Sequence, residues 1–331
     1  MTAYLDLQVT SNFSFLRGAS HAEELVLQAV VLGHRAVAIT DRNTLAGVVR
    51  AHKAAQEAGC RLVLGCRLDL EDRPSLLCYP MDRVAYARLC RLLTFGKRRA
   101  KKGECRLGYA DLVAHGEGQL VIVVPPERPD AGFAEFLAAV ARDCRGRAYL
   151  GAQHLYRGDD AKRLHRLARL AERSGLPLVA LNDVLYHVPE RRALQDVVTA
   201  IRERCTVAEA GFRLLANAER HLKSPDEMAR LFRRYPEAVA RTAEIAERCR
   251  FSLEELRYEY PDENADGLTP QERLVRLTEA GARERYPEGV PEKVRALLRH
   301  ELDLVAELNY APYFLTVHDI VRFARSRAIL C

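Results

Sequence analysis

Val37 to Gly47 reads VAITDRNTLAG, and its first three residues are apolar enough for a buried strand. Thr40, Asp41, Arg42 and Asn43 follow as one polar block, and a helical segment comes next. A strand that ends in polar side chains and feeds a helix is one step of an alternating α/β plan. In such folds, sites gather at the C-terminal ends of the strands. This block sets an acid beside a base at that end.

The same step repeats on both sides. YLDLQV (Tyr4–Val9) reads as a strand, and SHAEELVLQAVVLG (Ser20–Gly33) as a helix. Ser20 and Glu23 have capping-box spacing, and Gly33 is a stop. Downstream, RLVLGCRLDL reads as one strand with SLLCYP (Ser75–Pro80) as its neighbour. QLVIVVP (Gln119–Pro125), RAYLGAQ and LPLVALND (Leu176–Asp183) read as further strands, with amphipathic helices between them. Short apolar strands alternating with helices predict parallel pairing with the helices outside. The strands outnumber those of a small open sheet. A barrel-like (β/α) arrangement is therefore the first expectation and an open doubly wound sheet the second. No G-x-G-x-x-G or P-loop follows any strand, so neither dinucleotide nor P-loop nucleotide binding is supported.

From about Thr206 the pattern turns helical, as in Ser224–Cys249, and YEYPDENADGLTPQ (Tyr258–Gln271) reads as a polar linker. Two amphipathic segments follow. The closing YFLTVHDIVRFARSRAILC predicts a helix and then the first residues of a strand. It stops on Ile329, Leu330 and Cys331 with no polar tail, which predicts a chain truncated from something longer.

Composition bounds the classes. The chain has 331 residues, 48% of them apolar and 29% charged, enough for one large domain and part of another. No apolar run approaches the ~20 residues of a membrane helix, and the N-terminus lacks the pattern of a signal peptide. The nine cysteines show no zinc-ribbon or disulfide-scaffold spacing, so reduced thiols in a cytoplasmic protein are expected. A net charge of +6 mildly favours a polyanionic partner.

The strand-end residues are Gln8, Thr10 and Ser11, then Asp41 and Arg42, then Arg67, then Gln153 and His154, then Asn182, Asp183 and Leu185. With SNFSFLRGASHAEELV, AITDRNTLAGVVRAH, RLLTFGKRRAKKGEC, LNDVLYHVPERRALQDVVTAIR and YFLTVHDIVRFAR, the chain resembles the N-terminal part of the error-prone bacterial C-family DNA polymerases, paralogues of the polymerase III alpha subunit. The resemblance runs the full length. It implies a polymerase-and-histidinol-phosphatase (PHP) domain, a distorted (β/α) barrel, over residues 1–250, with a barrel core to about 205 and a helical extension over 206–250. Residues 251–331 would be a linker and the truncated start of a palm.

The resemblance also supplies the positions of a metal cluster. Active PHP domains carry His-x-His where this chain has Gln8-Val9-Thr10, and Thr-Asp-His where it has Thr40-Asp41-Arg42. They carry Glu where it has Arg67, and Asp-x-His where Asp183 is followed by Leu185. Zinc or manganese wants imidazole and carboxylate, so most ligands are gone. A metal-free barrel is expected, with Arg42 and Arg67 supplying the counter-charge for buried Asp41 and Asp183. His187 reads as a surface histidine rather than a shifted ligand. His21, His34, His52 and His115 also read as surface. A triad of Ser14, His154 and Asp183 lacks a nucleophile elbow.

The run GKRRAKKGEC places Lys97, Arg98, Arg99, Lys101 and Lys102 in an expected loop, where they meet DNA phosphates or simply face water. No aromatic residue is interleaved for base stacking. Asp303 and Asp319 fall on helical stretches and match no metal motif, so no polymerase catalytic residue is assigned here. For the longer protein the resemblance implies translesion synthesis with Mg²⁺, primer-template DNA, and the sliding clamp and mutagenesis-complex proteins as partners. The fragment alone is expected to be inactive. The alternatives are a stand-alone PHP-type metal-dependent phosphoesterase, or a protein-interaction module.

Overall fold

The computed structural model describes residues 4–257 and 267–331. Most of the linker expected at Tyr258–Gln271 therefore lies outside the described residues. The chain divides into two compact units, Met1–Glu255 and Leu256–Cys331.

The first unit carries α1 (Ala22–Val31), β1 (Ala36–Ile39), α2 (Val48–Glu57), β2 (Arg61–Leu64), β3 (Cys66–Leu68) and β4 (Leu76–Pro80). It continues with α3 (Arg83–Arg98), α4 (Tyr109–His115), β5 (Gln119–Val123), α5 (Ala131–Asp143), β6 (Ala148–Gln153), α6 (Asp160–Ser174) and β7 (Leu178–Leu181). The helices α7 (Arg192–Glu203), α8 (Val207–Ala210), α9 (Pro225–Leu231) and α10 (Pro236–Arg248) close it.

The α/β class is as expected, but the sheet is not one parallel ring. β1 and β2 form a parallel pair with Val37 opposite Leu62. The other five strands run β3-β4-β5-β6-β7, antiparallel at the first two junctions and parallel at the last two. The short connection Asp69–Ser75 cannot hold the crossover helix that a parallel pair requires, so β4 returns antiparallel. Isolated bridges join Asp6 to Val37, Val9 to Val184 and Arg42 to Arg67. The expected first strand thus meets its neighbours at single points, and among the described residues no continuous ladder closes a barrel. The expected third strand is also split, at Gly65, where a Cβ would stand 2.7 Å from the Tyr79 ring.

Every residue of β4, β5 and β6 is buried, because both faces of the sheet are covered. Alternation along β4 divides them. Leu76 and Cys78 face a core shared with Leu89 of α3, Phe136 of α5 and Leu167 of α6. Leu77 and Tyr79 face the opposite way, onto Leu7, Ala38, Val63, Ile122 and Val179. The helical extension belongs to both cores. Met228, Phe232 and Val239 enter the first, and Ile245, Ala246 and Cys249 close one end of the second. Thr242 Oγ1 accepts a 3.0 Å hydrogen bond from the Leu5 N–H.

The second unit is helical, with α11 (Pro270–Arg285), α12 (Glu292–Glu307) and α13 (Ala311–Ser326). A reciprocal cap between Thr269 and Glu272 starts α11. The strand expected after α13 does not form, and Arg327–Cys331 is turn and irregular chain. Phe314, Val317, Ile320 and Phe323 are exposed along α13.

Candidate functional site at the strand ends

Two backbone hydrogen bonds lock the ends of the first segment and β7 together, from Thr10 N–H to the Val184 carbonyl at 2.9 Å and from Val184 N–H to the Gln8 carbonyl at 2.8 Å. They bring Gln8 and Asp183 side by side. The Gln8 amide donates to Asp183 Oδ1 at 2.8 Å and accepts from Gln153 Nε2 at 2.8 Å. Asp183 sits in the left-handed region at φ 52°, which turns its carboxylate inward. Arg220 pairs with Asp183 Oδ2, and its Nε donates to the Asp183 carbonyl at 2.6 Å. Arg67 Nη1 stands 4.0 Å from Asp183 Oδ1. Burial pushes the Asp183 carboxyl up, but Arg220, Arg67 and Arg42 together outweigh it and hold the group below its ordinary value.

Arg42 and Arg67 converge on a carboxylate that the sequence reading left inside a strand. Arg42 Nη1 donates to Asp69 Oδ2 at 2.9 Å, and Arg67 Nε donates to Asp69 Oδ1 at 2.8 Å. Ser75 Oγ adds a 2.6 Å hydrogen bond to the same oxygen. Asn43 Oδ1 takes the Asp69 N–H at 3.0 Å and fixes the segment. Burial raises the Asp69 carboxyl, yet the two arginines bring it down to about 2. Arg67 and Asp69 lie two apart on one strand face, which is the signal that would have paired them.

Asp41 departs from its expected partner. Among the described residues no arginine pairs with it. It accepts from the Ser11 N–H at 2.8 Å, the Ser11 hydroxyl at 2.7 Å and the Ser14 hydroxyl at 2.7 Å. Burial leads, and its carboxyl is raised. Asp41 and Arg42 are adjacent in an extended segment, so they project to opposite sides. Thr10 is buried, and Leu185 is packed with Ala19 and Tyr186 in a small apolar cluster.

The donor set does not fit a PHP metal cluster. Among the described residues no three of His, Cys, Asp and Glu converge to hold an ion. Asp183 and Asp69 are already neutralised by guanidinium groups.

Other sequence expectations shift too. His187 is only partly exposed, and its Nδ1 lies 2.7 Å from the Ser20 hydroxyl. Ser20 is therefore drawn away from α1, whose start is capped by Glu24 accepting the His21 N–H at 2.8 Å. His34 is buried, with Nε2 2.8 Å from the Lys223 carbonyl. The triad drawn from Ser14, His154 and Asp183 does not assemble, because Ser14 serves Asp41 and Asp183 serves Arg220. Arg220, which no periodicity marked, is the residue missed altogether.

The basic run is not all loop. α3 extends to Arg98, so Lys97 and Arg98 ride its last turn. Arg99 lies over the Phe95 ring at 3.5 Å and donates twice to Asp111, at 3.1 and 2.9 Å. Lys97, Lys101 and Lys102 line a cleft of about 530 Å³ together with Arg42 and Asp69.

The electrostatics predict an acid limb. A carboxyl held low in the fold adds stability that is complete above its ordinary value of 3.8 and is lost as pH falls through its folded value, here about 2 for Asp69. Asp41, held high, works in the opposite sense. Urea unfolding between pH 6 and 2 should show stability falling below about pH 4. Asp69→Asn should make that fall shallower, and an unchanged slope would show that Asp69 is not part of it.

The PHP domain family matches residues 6–140, and the bacterial DNA polymerase III alpha NTPase domain family matches residues 272–331. The error-prone DNA polymerase of Caulobacter vibrioides is 57% identical over 330 residues, and error-prone DNA polymerase 1 of Agrobacterium fabrum is 54% identical over 329. Each alignment covers 99% of this chain and 30% of the relative. The chain thus spans about three-tenths of the length of these relatives. A crystal structure of a putative metal-dependent phosphoesterase from Bifidobacterium adolescentis is 19% identical with a TM-score of 0.43, over 54% of this chain and 86% of that one. That likeness is too loose to carry an argument. By sequence, 99% of this chain matches about three-tenths of bacterial error-prone DNA polymerases, as an N-terminal part with a PHP domain and the beginning of the polymerase III alpha segment.

Proposed function

We propose that this chain serves as the N-terminal part of a cytoplasmic error-prone DNA polymerase acting in damage tolerance, and that its PHP unit is a metal-free brace. The observation that supports the brace is the capture of Asp183 by Arg220 and Gln8, with Arg67 nearby. Where an active PHP site would spend this carboxylate on a metal, here it ties β7, the first segment and the 214–223 stretch into one cross-link. Such a cross-link resists shear between strand ends and keeps the unit rigid. Template-directed synthesis with Mg²⁺ on primer-template DNA, and contacts with the sliding clamp and mutagenesis-complex proteins, belong in this reading to the longer protein. Asp303 on α12 and Asp319 on α13 have no assigned catalytic part, so this chain alone should not extend a primer.

Elemental analysis after purification should find less than about one equivalent of zinc, manganese or iron. Two or more tightly held equivalents, with phosphoesterase activity lost on chelation, would replace the brace by an enzyme.

A further inference from the structure

The loop Ser11–Gly18 is held unusually firmly for a segment that carries an exposed aromatic ring. Ser11 and Ser14 both bind Asp41. The Asn12 N–H reaches the Ser20 carbonyl at 2.8 Å, and Arg202 Nη1 reaches the Leu16 carbonyl at 2.8 Å. Gly18 passes so close to the Ser11 carbonyl that a Cβ there would stand 2.3 Å from its oxygen. On this braced loop Phe15 is 83% exposed. Among the described residues no buried core includes that ring, and the backbone that carries it is already ordered.

Phe15 and the half-buried Phe13 line the same cleft as Lys97, Lys101 and Lys102. Arg17 and Arg42 also line it, as do Asp69 and Glu104. Asp69 is matched by Arg42 and Arg67, so it does not offset the lysines. Among the described residues the side chains of Arg17, Lys97, Lys101 and Lys102 have no ion-pair or hydrogen-bond partner. Partial burial lowers the Arg17 guanidinium, repulsion from Arg42 and Arg202 adds to this, and Asp69 and Glu203 offset part of it. The basic run by itself has no aromatic residue to stack a base. The fold supplies the missing rings from a loop some eighty residues earlier in the chain.

Unpaired cations beside exposed rings form the combination that binds single-stranded nucleic acid, with phosphates on the cations and bases on the rings. We infer that this cleft binds a short stretch of single-stranded DNA, with Phe15 as the stacking platform and Lys97, Lys101, Lys102 and Arg17 as phosphate contacts. The choice of DNA over RNA rests on the polymerase reading above. The cleft's charge and aromatic content do not.

Fluorescence anisotropy on the 331-residue chain tests this, using a labelled oligothymidylate of about eight nucleotides and an abasic strand of equal length. The oligothymidylate should bind more tightly than the abasic strand. Phe15→Ala should weaken it about tenfold while leaving the abasic strand unaffected. Because Phe15 is exposed, that variant should melt at the parent temperature. The double change Lys101→Ala, Lys102→Ala should weaken both strands and reduce the slope of log affinity against log salt by about 1.4. Equal binding of the two strands together with no effect of Phe15→Ala would reduce the cleft to a phosphate contact and overturn the stacking role. Absence of binding to either strand would overturn the site. Equally tight binding of an RNA strand would overturn the choice of DNA. None of these failures touches the polymerase reading, which stands or falls on primer extension by the longer protein.

Discussion

Arg220→Ala should destabilise the first unit by about 3–5 kcal/mol, read by chemical denaturation near neutral pH. The reason is that Asp183 is buried, and removing its main cation strands a charge away from water. Gln8 still donates to the carboxylate, but Arg67 at 4.0 Å is too far to replace a close ion pair without moving, and it is already committed to Asp69. Adding Asp183→Asn to Arg220→Ala should recover part of the loss, because it removes the stranded charge and keeps the amide-sized shape. Arg220→Lys should not substitute well. A lysine cannot contact the carboxylate and the Asp183 carbonyl through one planar group. If Arg220→Ala costs no more than about 0.5 kcal/mol, these are ordinary surface charges and the brace is wrong.

The second large effect separates shape from charge at Asp41. Asp41→Ala should cost about 3 kcal/mol, since it leaves the Ser11 N–H and two serine hydroxyls without their buried acceptor. Asp41→Asn should cost under about 1 kcal/mol. It keeps an acceptor oxygen, and burial already pushes the carboxyl toward its neutral form. The same unfolding measurement decides. Equal losses for both variants would mean that the negative charge itself is required, and so that Asp41 has an ionic partner after all.

These two carboxylates also show how far the sequence carries. The strands were legible because apolar runs and their stops are local facts. The strand-end rule then gathered Gln8, Asp41, Arg42, Arg67 and Asp183 at one end, where the structure has them. Which acid meets which base was not legible. Adjacent residues on extended chain face opposite sides, so Asp41 turned to the loop serines while Arg42 turned to Asp69. Arg220 lies in irregular chain whose place is set by the single bridge between Tyr186 and His221 and by the hydrogen bond from Leu185 N–H to its own carbonyl. Nothing periodic could have announced it. The antiparallel return of β4 was readable in principle from the short connection before it. The split at Gly65 depended on the Tyr79 ring, a tertiary neighbour. The end of α3 ran two residues past Gly96 because a glycine near a helix end does not compel a stop.

The hydrogen bond between Leu5 and Thr242 joins residues 237 positions apart. Leu5 therefore leaves a ribosome 237 residues ahead of the partner that finishes its packing. Leu5 and Leu7 must wait with Val63 and Ile122 until Ile245 and Cys249 arrive to seal their core. At about 5–20 residues per second, that wait lasts roughly 10–50 s of synthesis. Throughout it, this apolar core stays incomplete and its surface open to water.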